Sequence, residues 1–165
     1  MYFDPAKIDD ALVQLGARPW RGERPVVVPV LLVRGRKPPD YVLSAEIPAG
    51  IEQRGSFANA ASEFGMMVHI PADAEFAGWG AAVDKFPYPA APPPAERPGE
   101  VIVVGTMEWS ETLPGWIGSW RTSWRGADHQ WGIRGVNYDA AFRDIVRGVV
   151  LLASGRGTPE EVAPK

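Results

Sequence analysis

Tryptophans at positions 116, 120 and 124 recur every four residues, in a segment bounded by two turn-like sequences, Leu113-Pro114-Gly115 and Arg125-Gly126-Ala127-Asp128. A strand sends alternate side chains to opposite faces, so all three indoles fall on one side. Ser119, Arg121 and Ser123 fall on the other, with Ile117 as the apolar exception. A strand with one aromatic and one polar face belongs in a sheet covered on one side and wet on the other. Residues 101–109 before it and 129–136 after it read as its neighbours, giving three consecutive strands in an antiparallel meander.

The other elements follow from the same kind of patterning. Asn137 caps a closing helix with an apolar face of Ala141, Phe142, Ile145, Val146, Val149 and Leu152, which stops near Gly155. Residues 25–33 are β-branched and apolar throughout, as in a strand buried on both faces, and Pro29 within it predicts a bulge or an edge position. Residues 41–45 read as a hairpin return after the polar turn at 35–40. Ser56 is placed to cap a helix through Phe57, Ala60, Ala61 and Phe64, and a short strand at 66–70 closes at Pro71. Asp4-Pro5 with Ile8, Leu12 and Leu15 predicts a first amphipathic helix ending at Gly16, and a second short helix is expected between 76 and 83.

From Phe86 to Pro98, six of thirteen residues are proline, which predicts an extended surface loop. The expected architecture is therefore α+β, one domain over residues 1–155 with a mixed sheet and a Pro-rich loop at 86–99. A flexible tail is expected at 156–165, although Thr158-Pro159-Glu160-Glu161 has the pattern of a helix start. Val26, Val28, Leu31, Phe64, Val68, Val101, Val103, Phe142, Ile145 and Val149 are the expected core.

Composition excludes several function classes. The chain of 165 residues has no cysteine, so disulfides, thiolate metal sites and cysteine nucleophiles are out. Its net charge of -3 argues against nucleic acid as a partner. Between residues 18 and 37, however, Arg18, Arg21, Arg24, Arg34, Arg36 and Lys37 face the single acid Glu23, and they read as charged guards beside a buried strand in preference to an anion or lipid-headgroup patch. The longest apolar stretch, 26–33, has eight residues, so no transmembrane segment is expected.

Candidate chemistry is sparse. Trp116, Trp120 and Trp124 form either an aromatic platform for sugar, peptide or membrane interface, or a stripe packed beneath the last helix; the polar opposite face supports the second. His69, Asp73 and Glu75 sit at an expected strand end, where a histidine with two carboxylates suits acid–base work or metal binding, although the spacing fits no established metal pattern. His129 beside Asp128 reads as part of a turn. Gly78-Trp79-Gly80 lacks the third glycine of a dinucleotide loop, and neither a phosphate-binding loop nor a serine elbow occurs. No cofactor and no metal is therefore expected.

The motif Phe3-Asp4-Pro5-Ala6-Lys7-Ile8, then Leu15-Gly16-Ala17-Arg18-Pro19-Trp20 and Arg24-Pro25, resembles the C-terminal half of an uncharacterised proteobacterial family, domain of unknown function 2066. The resemblance continues through residues 61–71, Val101-Ile102-Val103-Val104-Gly105, residues 120–131 and residues 135–150. It implies a periplasmic setting and an accessory role, with no catalytic residues to carry over. The leading expectation is a non-catalytic accessory or binding module of the bacterial cell envelope, with a protein or cell-wall partner. One alternative is a hydrolase-type enzyme using His69, Asp73 and Glu75. The other is a cytosolic protein-interaction domain, which the amphipathic opening Tyr2-Phe3-Asp4-Pro5 favours because it lacks the pattern of a secretory signal.

Overall fold

The computed structural model of the chain describes residues 24–78 and 99–162, so the expected first helix and all of the Pro-rich loop except Gly99 lie outside the described residues. Strand β1, Val26–Arg34, carries the β-branched run. It pairs in parallel with β4, Glu100–Ser110, from Val26 opposite Glu100 to Arg34 opposite Glu108. Both faces of β1 are buried, with Val27, Leu31 and Val33 on one side and Val28 and Val30 on the other. A parallel pair buried on both sides needs an unbroken apolar sequence, which is what these residues supply.

Pro29 is neither bulged nor on an edge. The carbonyls of Val27 and Leu31 turn outward, away from β4, to accept from His69 N at 2.9 Å and Leu43 N at 2.8 Å. The two-residue period aims position 29 the same way, between the two short outer strands β2, Tyr41–Val42, and β3, Met67–Val68. No strand there requires the N–H that proline lacks.

Helix α1 runs from Ile51 to Glu63 behind a 3-10 turn, Pro48–Gly50, so it begins before the Ser56 expected to cap it. Gly50 has no side chain to cap the helix; instead Arg54 reaches back to the carbonyls of Ser44 and Ile47 and ties the preceding turn to the first helical residues. Ser56 is buried within the helix and donates to Asp139. Helix α2, Asp73–Gly78, starts earlier than expected from the sequence.

The meander is formed by β4, β5 (Gly115–Trp124) and β6 (Ala127–Val136). Arg125 at φ 51° and Gly126 at φ 80° make a two-residue turn that pairs Trp124 with Ala127. That geometry is the type I′ turn whose twist matches a hairpin. Helix α3, Tyr138–Ser154, is capped by Asn137, whose Oδ1 accepts from Ala140 N at 2.8 Å. It ends at Gly155, φ 70°, where Arg156 N donates to Leu151 O at 3.1 Å and closes a Schellman motif. Within the expected tail the helix start at 158–161 is followed by a helical turn, α4 (Pro159–Val162), against β6, and residues 163–165 lie outside the described residues.

The result is an α+β fold with a six-stranded mixed sheet in the order β2-β1-β4-β5-β6 and β3 beside β1. Helices α1 and α3 cover one face, where Phe57 meets Phe142 with ring centroids 5.0 Å apart and Ile145 and Val149 complete the layer. Phe64 and Val68 sit at the margin of this core, and Val26 is half-buried. Val28, Val30, Ile102 and Val104 form a separate buried cluster on the opposite face, to which no described helix contributes. Among the described residues no helix is long and apolar enough to cross a membrane.

Candidate functional site

The two faces of the meander have different fates. Trp116, Trp120 and Trp124 do share a face, and that face is roofed by α3. Trp120 is only 2% exposed, and its indole Nε1 donates to Asp144 Oδ2 at 3.0 Å. Trp131, opposite it on β6, donates to the main-chain carbonyl of Asp144 at 3.1 Å. Asp144 also accepts from Arg147 at 2.6 Å, so the buried carboxylate is satisfied on both oxygens. The indoles fit because glycines lie beneath them: a β-carbon at Gly118 would overlap the Trp120 ring, and one at Gly148 the Trp131 ring. Trp120 thus belongs to the core and offers no surface to a ligand. Trp116 and Trp124 are half-buried against the same core, with Trp109 edge-on to Trp116 at 5.6 Å.

The histidine cluster is brought together only in part. His69, beyond β3, has Nε2 2.9 Å from Glu75 Oε1. Asp73 stays apart with an exposed side chain at the start of α2, where its main-chain N–H donates to Glu46 at 2.8 Å. Among the described residues no group of three His, Asp or Glu is arranged to hold a metal ion. His129 faces Glu160 of α4 at 3.2 Å, and the same carboxylate accepts from Gln130 N at 2.9 Å. Burial pushes the Glu160 carboxyl up, but hydrogen bonds from its own amide, from Gln130 and from His129 outweigh it and hold the group below its ordinary range.

The described arginines of the basic stretch are engaged. Arg24 donates to the carbonyls of Phe64 and Gly65, and Arg34 pairs with Asp40 at 3.4 Å. Arg36 lies over the Trp109 ring and bonds Glu111 at 3.2 Å, which holds that exposed carboxyl below its usual range.

The polar face of the meander carries a concavity. Pairing across the β5–β6 hairpin sets Ile117 opposite Arg134, Ser119 opposite Gly132 and Arg121 opposite Gln130. Glu108, Thr106 and Val104 continue these rows on β4, opposite Ile117, Ser119 and Arg121. With no side chain at Gly132 the surface drops to main chain, and the close neighbour that requires glycine there is β5 itself: a β-carbon would overlap the Gly118 carbonyl oxygen. A groove of about 440 Å³ opens there between Ile117, Ser119, Gln130 and Arg134. An adjoining hollow of about 70 Å³ extends it over Thr106 and Arg121. The register shifts between Trp116 and Ile117, where Gly135, at φ 71°, is the extra residue and bends β6. Arg121 is held by Asp128, whereas the side chains of Ser119, Gln130 and Arg134 take no hydrogen bond or ion pair among the described residues.

Patterning of β5 alone marks Ser119 and Arg121 as solvent-facing but leaves Gln130, Gly132 and Arg134 unremarked. Their signal lies in the turn: pairing Trp124 with Ala127 across Arg125-Gly126 dictates which residues stand opposite. Compared with protein-family profiles, with curated proteins and with solved structures, the chain shows no significant match.

Proposed function

We propose that the chain is a non-catalytic binding module of the bacterial cell envelope, and that the polar face of its meander is where it holds a ligand. The observation that carries this reading is the groove over Gly132. It combines hydrogen-bonding side chains that take no partner among the described residues, a half-buried apolar residue and bare main chain on a sheet whose other side is locked by Trp120 and Trp131. Groups held on paired strands keep their spacing without a ligand, so binding costs little ordering. The envelope setting rests on the resemblance of residues 61–71, 101–105, 120–131 and 135–150 to the domain of unknown function 2066 family, which also motivates a cell-wall or envelope-protein partner.

Co-sedimentation of the purified chain with insoluble bacterial cell walls tests it. Ser119 is exposed, so Ser119→Phe plugs the groove while leaving the core alone. The expected result is sedimentation of the natural chain and loss of it in the variant at an unchanged melting temperature. Absence of binding by the natural chain, or equal binding by the plugged one, overturns the reading. The contact between His69 and Glu75 supports a second, hydrolytic reading. If it holds, His69→Ala removes a measurable hydrolysis of esters, amides or glycosides and Ser119→Phe does not.

A further inference from the structure

We infer that the groove takes a saccharide bearing a carboxylate, and that the Arg134 guanidinium receives the carboxylate; this rests on the groove being the binding site. The groove and the hollow beside it are lined by Arg134 and Arg121, and no Asp or Glu lines either one among the described residues. This is an all-cationic lining on a chain of net charge -3. Asp128 neutralises Arg121 from outside the lining, and Glu108 ends the Arg134–Ile117 row on β4, also outside the lining, so the charge within the lining that is open to a ligand is that of Arg134. A guanidinium offers parallel N–H donors that match the two oxygens of a carboxylate, and one such group suits a monoanion better than a phosphate dianion.

The surroundings of Arg134 select the rest of the ligand. Ile117, directly opposite on β5, supplies an apolar patch for ring C–H groups. The Ser119 hydroxyl and the Gln130 amide each donate and accept, as a ring of hydroxyls requires. An extended peptide would instead add along the free edge of β6, and there the Gln130 N–H is already taken by Glu160.

Titration of the full chain, followed calorimetrically and by amide chemical shifts, tests the inference with two disaccharides that differ by one lactyl ether, which carries the carboxylate. These are N-acetylglucosaminyl-N-acetylmuramic acid and its neutral counterpart, chitobiose; inorganic phosphate is the third probe. The acidic disaccharide is expected to bind about tenfold more tightly than the neutral one, the worth of one charge-assisted hydrogen-bond pair. Arg134→Gln, an exposed substitution, should erase that preference, Arg134→Lys should restore part of it, and added salt should weaken only the acidic ligand. Equal binding of both sugars at the groove, unchanged in Arg134→Gln, overturns the carboxylate inference and leaves the groove as a binding site. Phosphate binding as tight as the acidic sugar overturns the saccharide assignment. No groove shift with any probe or with cell-wall digests, in a chain that remains folded, overturns both this inference and the reading it rests on.

Discussion

At the residue scale the fold turns on a carboxylate buried beneath two indoles. Asp144 is stable there because Trp120 and Arg147 each give it a donor, and its own carbonyl serves Trp131. Removing the indole leaves both a cavity and an unpaired oxygen, so Trp120→Ala should cost about 3–5 kcal/mol in urea unfolding. Gly148→Ala, a change of one methyl on α3, should cost about 1–3 kcal/mol because the new β-carbon meets the Trp131 ring. If either variant unfolds with the natural midpoint, the Trp face is not the core contact described. The sequence shows that 116, 120 and 124 share a face, since strand alternation needs only spacing. It does not reveal Asp144, because an acid on an apolar helix face is recognised as satisfied only when its donors from β5 and α3 are in place.

At the element scale, local signals work where an element is closed by its own residues. The Asn137 cap, the Gly155 stop and the Arg125-Gly126 turn are all read from sequence and all present. Asn137→Ala should therefore cost about 1 kcal/mol. Gly126→Ala should cost about 1 kcal/mol at φ 80°, both measured as shifts in denaturation midpoint. Where an element is closed by distant groups the signals mislead. Helix α1 starts at Ile51 among Pro48, Gly50 and Gly55, residues that punctuate helices, with Arg54 tying down the turn before it and Ser56 bonded to α3. Helix α4 depends on Glu160 in the same way. The folded pKa of Glu160 lies below its unfolded value, so its bonds to β6 contribute fully above the ordinary carboxylate range and are lost as pH falls through the folded pKa. Hydrogen exchange at the Gln130 amide should accelerate, relative to its intrinsic rate, over that acid window, and Glu160→Gln should remove the pH dependence.

At the scale of the whole molecule the sheet separates two tasks. One face of the meander joins α1 and α3 in the core, and the other presents Ile117, Ser119, Gln130 and Arg134 around a bare Gly132. The fold class is readable from alternation and turn chemistry because each strand of the meander carries its own pattern. The groove is not, because it arises from registration between β5 and β6, which no single strand contains. His69 and Glu75 meet, but Asp73 does not join them, because the start of α2 directs its main chain to Glu46. The most direct measurement is an amide chemical-shift map of the full chain titrated with soluble cell-wall fragments. A binding face opposite the core predicts shifts clustered at Ile117, Ser119, Gln130, Gly132 and Arg134, with the indole signals of Trp120 and Trp131 nearly still. Shifts centred on His69 and Glu75, or displacement of those two indoles without the groove residues, would contradict it.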